Sequence, residues 1–250
     1  MPPLLEIKNL MVFHENALAL NDFSLELSKG EFVSVLGSNS AGKSTLMNSL
    51  AGLLEYKRIK EKRRGGVRIT MLGEIWFQGK NITGTKARQR VKDGIVLARE
   101  RHPIFRDSDV VENLKIAGYL YKNGDVKERS DFVFHLFPQL ERWKKKKAGF
   151  LSGGEQQMLI IGMALVAGPI LLLLDEPLLG LSPALQAHLV EAIKRIKQKG
   201  ITLLVTEQFA RPLLPHIDRG YILENGMLTL TGTGEELMDN PEVKSAYFGV

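Results

Sequence analysis

The chain contains no cysteine. That excludes disulfides and thiolate-bound metals, and it fits a reducing compartment. Aromatic residues are scarce, at 7%, and they do not interleave with the basic residues as in a stacking platform for nucleic acid. A membrane-spanning run is also missing. The most apolar stretch, Leu159 to Leu174, is broken by Gly168-Pro169 and falls short of the roughly 18 residues needed to cross a bilayer. It reads as a buried helix, a turn and a buried strand. The opening residues Met1-Pro2-Pro3-Leu4-Leu5-Glu6-Ile7-Lys8 show no basic region followed by an apolar core, so no secretory signal is expected. The expectation is a protein kept in the cytoplasm that reaches a membrane only through a partner.

What remains is ordinary for a globular chain: 250 residues, 44% hydrophobic and 25% charged, enough for a sizeable core. The net charge of +6 is concentrated in two runs, Lys57 to Arg64 and Lys144 to Lys147. The plain reading of each run is a solvated loop or helix face. The alternative is an anionic partner such as nucleic acid or lipid headgroups.

Patterning along the chain is α/β. Leu4 to Phe13 and Leu18 to Leu27 alternate as strands. Glu31 to Leu36 is a short apolar strand leading into a glycine-rich loop, and Lys43 to Leu53 is helical. Residues 55 to 66 read as an exposed loop, Val67 to Phe77 as a strand, Thr85 to Asp93 as a polar helix and Ile95 to Ala98 as a buried strand. Val110 to Leu120, Val126 to Phe137 and Gly153 to Ala167 are helical. The aliphatic run Ile170 to Leu174 suits a parallel strand buried on both faces. Ser182-Pro183 reads as N-cap and first residue of a helix to about Lys199, with an apolar stripe of Leu185, Leu189, Ile193 and Ile196. Ile201 to Val205 is another buried strand, Asn225-Gly226 a hairpin turn, and Gly234 to Asp239 a short helix.

Three motifs carry the chemistry. Gly37-Ser38-Asn39-Ser40-Ala41-Gly42-Lys43-Ser44-Thr45, between a strand and a helix, fits a phosphate-binding loop. Its backbone N–H groups and the helix N-terminus attract phosphate oxygens, Lys43 adds a cation, and the Ser44 hydroxyl suits Mg²⁺. Asp175-Glu176, ending the aliphatic strand, supplies a carboxylate for the Mg²⁺ shell (Asp175) and a general base for an attacking water (Glu176). Leu151-Ser152-Gly153-Gly154-Glu155-Gln156 opens a helix capped by Ser152 and makes a second anion site.

Together these motifs resemble the ABC transporter ATPases over essentially the whole chain. The resemblance implies a P-loop NTPase (RecA-like) core, with an N-terminal antiparallel β subdomain and an inserted helical subdomain. The division expected is core 1–100 and 168–250, with helices at about 101–167. It also implies ATP and Mg²⁺, and a head-to-tail pairing in which Ser152, Gly153, Gly154 and Gln156 of one subunit face the ATP held by residues 37–45 of the other. Phe13 would stack on the adenine, or else belong to the core. Glu100 stands where the family has a glutamine that touches Mg²⁺. No histidine stands near Val205 to meet the γ-phosphate; Thr206-Glu207-Gln208 is there instead, and either Glu207 or Gln208 takes its place.

The departures resemble one subfamily, the ATPase subunits of branched-chain amino-acid importers of the LivF type. Those carry glutamate-glutamine at the second place and proline-glutamate-glycine-arginine at the first, where this chain has Arg99-Glu100-Arg101-His102. Arg219 to Gly226 and Ser245 to Gly249 agree with that subfamily's ending. The implied partners are a second ATPase subunit (itself or a paralogue), integral membrane permeases touched by Glu100 to Val111, and, indirectly, a substrate-binding protein. No nucleic acid is expected, and the location is the inner face of the cell membrane. Two other readings stay open: the same ATPase with another cargo (urea, amides, lipid-linked export), and a soluble ABC protein acting on nucleic acid.

Overall fold

The computed structural model describes residues 2–54, 56, 68–99, 104–209 and 211–248, apart from the side chain of residue 123. Glu100 and the run Lys57 to Arg64 therefore lie outside the described residues.

Two sheets organise the chain. The first is antiparallel, in the order β2-β1-β4-β5, from β1 (Leu5–His14), β2 (Ala17–Leu27), β4 (Ile69–Phe77) and β5 (Lys80–Asn81). The second has the order β10-β9-β3-β8-β7-β6, from β3 (Phe32–Leu36), β6 (Ile95–Ala98), β7 (Leu171–Asp175), β8 (Thr202–Glu207), β9 (Arg219–Glu224) and β10 (Met227–Gly232). Five of its strands run parallel and β10 is antiparallel. Every residue of β3, β7 and β8 is buried, as the mostly apolar character of strands covered on both faces leads one to expect.

Side-chain alternation splits the core. Val33, Val35, Leu171, Leu173 and Leu204 join the antiparallel sheet and α1 (Lys43–Leu50) in one cluster. Phe32, Leu36, Leu172, Leu174, Leu203 and Val205 join the helices in the other. The helices that follow in sequence are α2 (Ala87–Lys92), α3 (Val110–Ala117), α4 (Asn123–Leu136), α5 (Pro138–Arg142), α6 (Gly153–Val166), α7 (Pro183–Gln198), α8 (Gly234–Asp239) and α9 (Pro241–Tyr247). Leu114, Val133, Phe137, Leu140, Met158 and Leu159 bring α3 to α6 together.

Some local expectations change. α4 starts at Asn123 rather than Val126. Ser182 does sit at the N-cap of α7, but its hydroxyl makes no cap hydrogen bond, and Pro183 fixes the first turn instead. The short α5 and α9 escape a periodicity reading because five and seven residues barely complete a turn or two. The hairpin turn is as expected: Asn225 and Gly226 both have positive φ, 49° and 81°, the conformation that twists with the flanking strands.

Candidate functional site

The parallel sheet sets the site. Adjacent strands β3, β8 and β7 end side by side, with Leu36 paired to Glu207 and Asp175 to Thr206. Loops from the carboxyl ends of such strands form the crevice of an α/β sheet. Here they bring together residues 37–45, Asp175-Glu176 and Glu207-Gln208.

The loop after β3 is shaped by close approach. A Cβ at Gly37 would lie 2.5 Å from the Leu223 carbonyl oxygen, and one at Gly42 (φ +113°) 2.5 Å from that of Ala19. Only glycine fits either place. Ser38, Asn39, Ser40 and Ser44 are exposed, whereas Ala41 is buried and its carbonyl accepts from the Gly226 N–H at 2.9 Å. The loop thus faces outward while its base is pinned to the β9–β10 hairpin.

Lys43 is buried, and all three of its ammonium donors are used. Its Nζ reaches the carbonyl oxygens of Gly37 (2.6 Å) and Ser38 (2.9 Å) and the Glu176 carboxylate (3.0 Å). Glu176 itself sits at φ +49°, a strained region for a residue with a side chain. Its N–H donates to the Thr206 carbonyl at 3.0 Å. Asp175 Oδ1 accepts from Thr206 Oγ1 at 2.8 Å and stands 3.5 Å from Ser44 Oγ. A hydroxyl and a carboxylate oxygen together are the hard, oxygen-only donor set that suits Mg²⁺.

Glu207 and Gln208 part company. Glu207 points inward, accepts the Leu178 N–H at 2.8 Å and the Gln208 N–H at 3.3 Å, and is 2% exposed. Burial first, then Glu176 nearby, push its carboxyl up to about 8, against the lowering effect of those two N–H groups and Lys43. Gln208 remains half-buried at the strand end.

At the other edge of the loop, β1 places His14 and not Phe13 beside the phosphate loop. The His14 ring nitrogen Nε2 lies 3.5 Å from Thr45 Oγ1. Val12 and His14 share the inner face of β1, so alternation puts Phe13 on the outer face, opposite Leu18 and Thr70. Bulges in the β1–β2 pairing hide this parity from the sequence.

Ser152, Gly153, Gly154 and Gln156 lie elsewhere, at the start of α6. Ser152 Oγ accepts the Glu155 N–H at 3.3 Å, and Glu155 Oε2 accepts the Ser152 N–H at 2.7 Å, a reciprocal cap. Because Ser152 Oγ acts as acceptor in that cap, its own hydrogen is left for an outside acceptor. Gly153 is exposed, whereas Gly154 is buried, and a Cβ there would meet Leu185 at 2.6 Å. Gln156 Nε2 donates to the Leu151 carbonyl at 3.0 Å, holding the turn before the helix. Partial burial acts to raise the Glu155 carboxyl, but hydrogen bonds from Ser152 and Trp143, with Lys146 nearby, hold it below its ordinary value.

The sequence reading missed several supports. Arg90, 1% exposed, donates to the carbonyls of Ser49, Leu50, Ile82, Thr83 and Thr85, tying the C-terminal end of α1 to the loop before α2. The run Lys144 to Lys147 is partly tied to its neighbours, while Lys145 and Lys147 stay exposed as a solvated face would. Lys144 pairs with Glu141 and Lys145 with Asp109, and Lys146 lies 4.3 Å over the Trp143 ring.

Comparison with known proteins gives concordant matches. The protein family described as ABC transporter matches residues 20–179. A high-affinity branched-chain amino acid transport ATP-binding protein, BraG of Pseudomonas aeruginosa, is 36% identical over 98% of this chain and 100% of its own length. A probable LivF of Archaeoglobus fulgidus is 33% identical over 92% of each. A lipopolysaccharide export ATP-binding protein, LptB of Acidithiobacillus ferridurans, is 28% identical over 100% of this chain and 98% of its own. Among solved structures, an ATP-binding cassette of an ABC transporter in its ADP conformation superposes with a TM-score of 0.82 at 27% identity, covering both chains fully.

Proposed function

Because the chain belongs to the ABC transporter ATPase family, we propose that it is the ATP-hydrolysing subunit of an importer for branched-chain amino acids. The cargo rests on the Pseudomonas and Archaeoglobus relatives and on Glu207-Gln208 in place of a histidine. The observation that carries the site is the Lys43–Glu176 contact of 3.0 Å beside Asp175.

In this reading residues 37–45 cradle the phosphates. The γ-phosphate displaces Glu176 from Lys43, and the released carboxylate takes a proton from the attacking water. Ser44 and Asp175 would hold Mg²⁺, which when bound would neutralise phosphate charge. Glu100, outside the described residues, is proposed for the same shell on its sequence position. Gln208 offers an amide to the γ-phosphate, and Glu207 serves as an internal anchor for Leu178. His14 is the ring beside the nucleoside end, in place of Phe13.

The second half of the site comes from another ATPase subunit, a copy of this chain or a paralogue. Its Ser152, Gly153, Gly154 and Gln156 would meet the phosphates. Exposed Phe150, Leu179 and Phe209 (74%, 40% and 53%) suit burial in such a pairing. We assign 101–167 as the helical subdomain and the rest as core. Between them lies an apolar cleft of about 440 Å³ whose walls include Ala51, Leu53, Val91, Phe105, Ile116 and Ala164. That cleft fits a short helix from a permease loop. Among the described residues no helix is long and apolar enough to cross a membrane. As the ATP-binding subunit of a transporter, the protein would work from the cytoplasmic face, with a substrate-binding protein acting through the permease.

Capture of the subunit from its native membrane tests this. Recovery of two polytopic permeases and a second ATPase supports it. Recovery of ribosomes or nucleic acid contradicts it.

A further inference from the structure

Trp143 lies nine residues before the Ser152 cap and belongs to none of the three motifs. Trp143 is 40% exposed, yet its indole N–H is committed, donating to Glu155 Oε1 at 2.8 Å. The other oxygen, Glu155 Oε2, accepts the Ser152 N–H at 2.7 Å, and the Glu155 N–H returns to Ser152 Oγ at 3.3 Å. Both carboxylate oxygens are therefore held, so the plane of the carboxylate is fixed and with it the first turn of α6. Lys146 sits 4.3 Å over the indole ring and adds a cation on the same side.

We propose that Trp143 is a positioning residue for the phosphate-facing Ser152, acting through Glu155. Two physical effects support the assignment. First, a glutamate at a helix start is a surface side chain that would otherwise swing in solvent; anchoring one oxygen leaves the other aligned on the Ser152 N–H. Second, Glu155 brings a negative charge to the place where phosphate must arrive. The indole N–H and Lys146 draw that charge to the side of α6 and partly offset it. Trp143 thereby sets how the hydroxyl of Ser152 is presented. The inference rests on the reading that Ser152 meets the ATP of a second subunit.

The test uses the Glu176→Gln protein, in which ATP persists, and follows its Mg-ATP-driven self-association by sedimentation. Ser152→Ala, Trp143→Phe and the double variant are compared on that background, with ADP affinity of the monomer as a control. Trp143→Phe is expected to weaken association by about threefold to tenfold, with ADP affinity unchanged and no further loss when Ser152 is already alanine. Glu155→Gln replaces one of the two acceptor oxygens by an NH₂ donor, so the arrangement in which each oxygen holds one N–H is lost, and it is expected to show the same loss should Trp143→Phe fold poorly. Association equal to the parent, or a loss additive with that of Ser152→Ala, overturns the role of Trp143 and leaves the two-subunit site intact. A parent that does not associate, or Ser152→Ala without effect, instead overturns the two-subunit site itself.

Discussion

At the residue scale, the Lys43–Glu176 pair is expected to govern both binding and stability. Lys43→Ala removes the phosphate cation, so ATP affinity is expected to fall by about tenfold to a hundredfold in a calorimetric titration. It also strands Glu176, 9% exposed, without its partner. Breaking a buried pair from one side costs about 3–5 kcal/mol, which urea unfolding would register. Glu207 carries a pH signature. Its carboxyl is pushed up to about 8 in the folded chain, above the value of about 4.3 for a free glutamate. The folded state then holds a proton that the unfolded state has lost. Stability is fully present below about pH 4 and declines as pH rises towards 8. Glu207→Gln is expected to flatten that decline in unfolding curves taken from pH 5 to 8. An unchanged slope would mean that Glu207 is ionised when folded.

At the scale of elements, Arg90 fastens the helix behind the phosphate loop. Burial lowers its guanidinium to about 10, so it stays charged at neutral pH, with five carbonyls for partners. Arg90→Ala leaves those carbonyls unpaired and is expected to cost about 3 kcal/mol in urea unfolding. Loss of under about 1 kcal/mol would show that water replaces the guanidinium. Asn113, fully buried, plays the matching part for the segment before α3: it accepts the Phe105 N–H at 2.8 Å and donates to the Phe105 and Asp109 carbonyls. Phe105 and Ile116, exposed at 48% and 39%, line the apolar cleft. Phe105→Asp should therefore leave ATP binding intact and abolish recovery of the permease, because a charge would have to be buried on docking.

The difference between what the sequence revealed and what it hid also belongs to this scale. The loop 37–45, Asp175-Glu176 and the Ser152 cap are legible because short-range spacing and backbone demands define them. Strands β3, β7 and β8 are legible because burial on both faces leaves short, mostly apolar runs, purely aliphatic at Leu171 to Leu174 and Leu203 to Val205. Arg90 to Ser49, Lys43 to Glu176 and Trp143 to Glu155 are not, since each pairing is made by tertiary packing across a separation that no local pattern encodes. That His14 rather than Phe13 shares a face with Val12 has a different cause, a bulged strand that shifts the alternation by one residue.

For the molecule as a whole, one end of the parallel sheet gathers the cation, the acids and the phosphate loop, while the Ser152 cap faces outward from α6. On the proposed reading a single chain presents two half-sites, and their union across two subunits would drive transport. The most direct test is Mg-ATP turnover by Glu176→Gln beside the unaltered chain, with ATP binding and sedimentation measured on the same samples. The account predicts retained or tighter ATP binding, since Lys43 is freed from its carboxylate, hydrolysis reduced by about a hundredfold or more, and a dimer that holds ATP. Hydrolysis near the unaltered rate, or a monomer at saturating ATP, would contradict it.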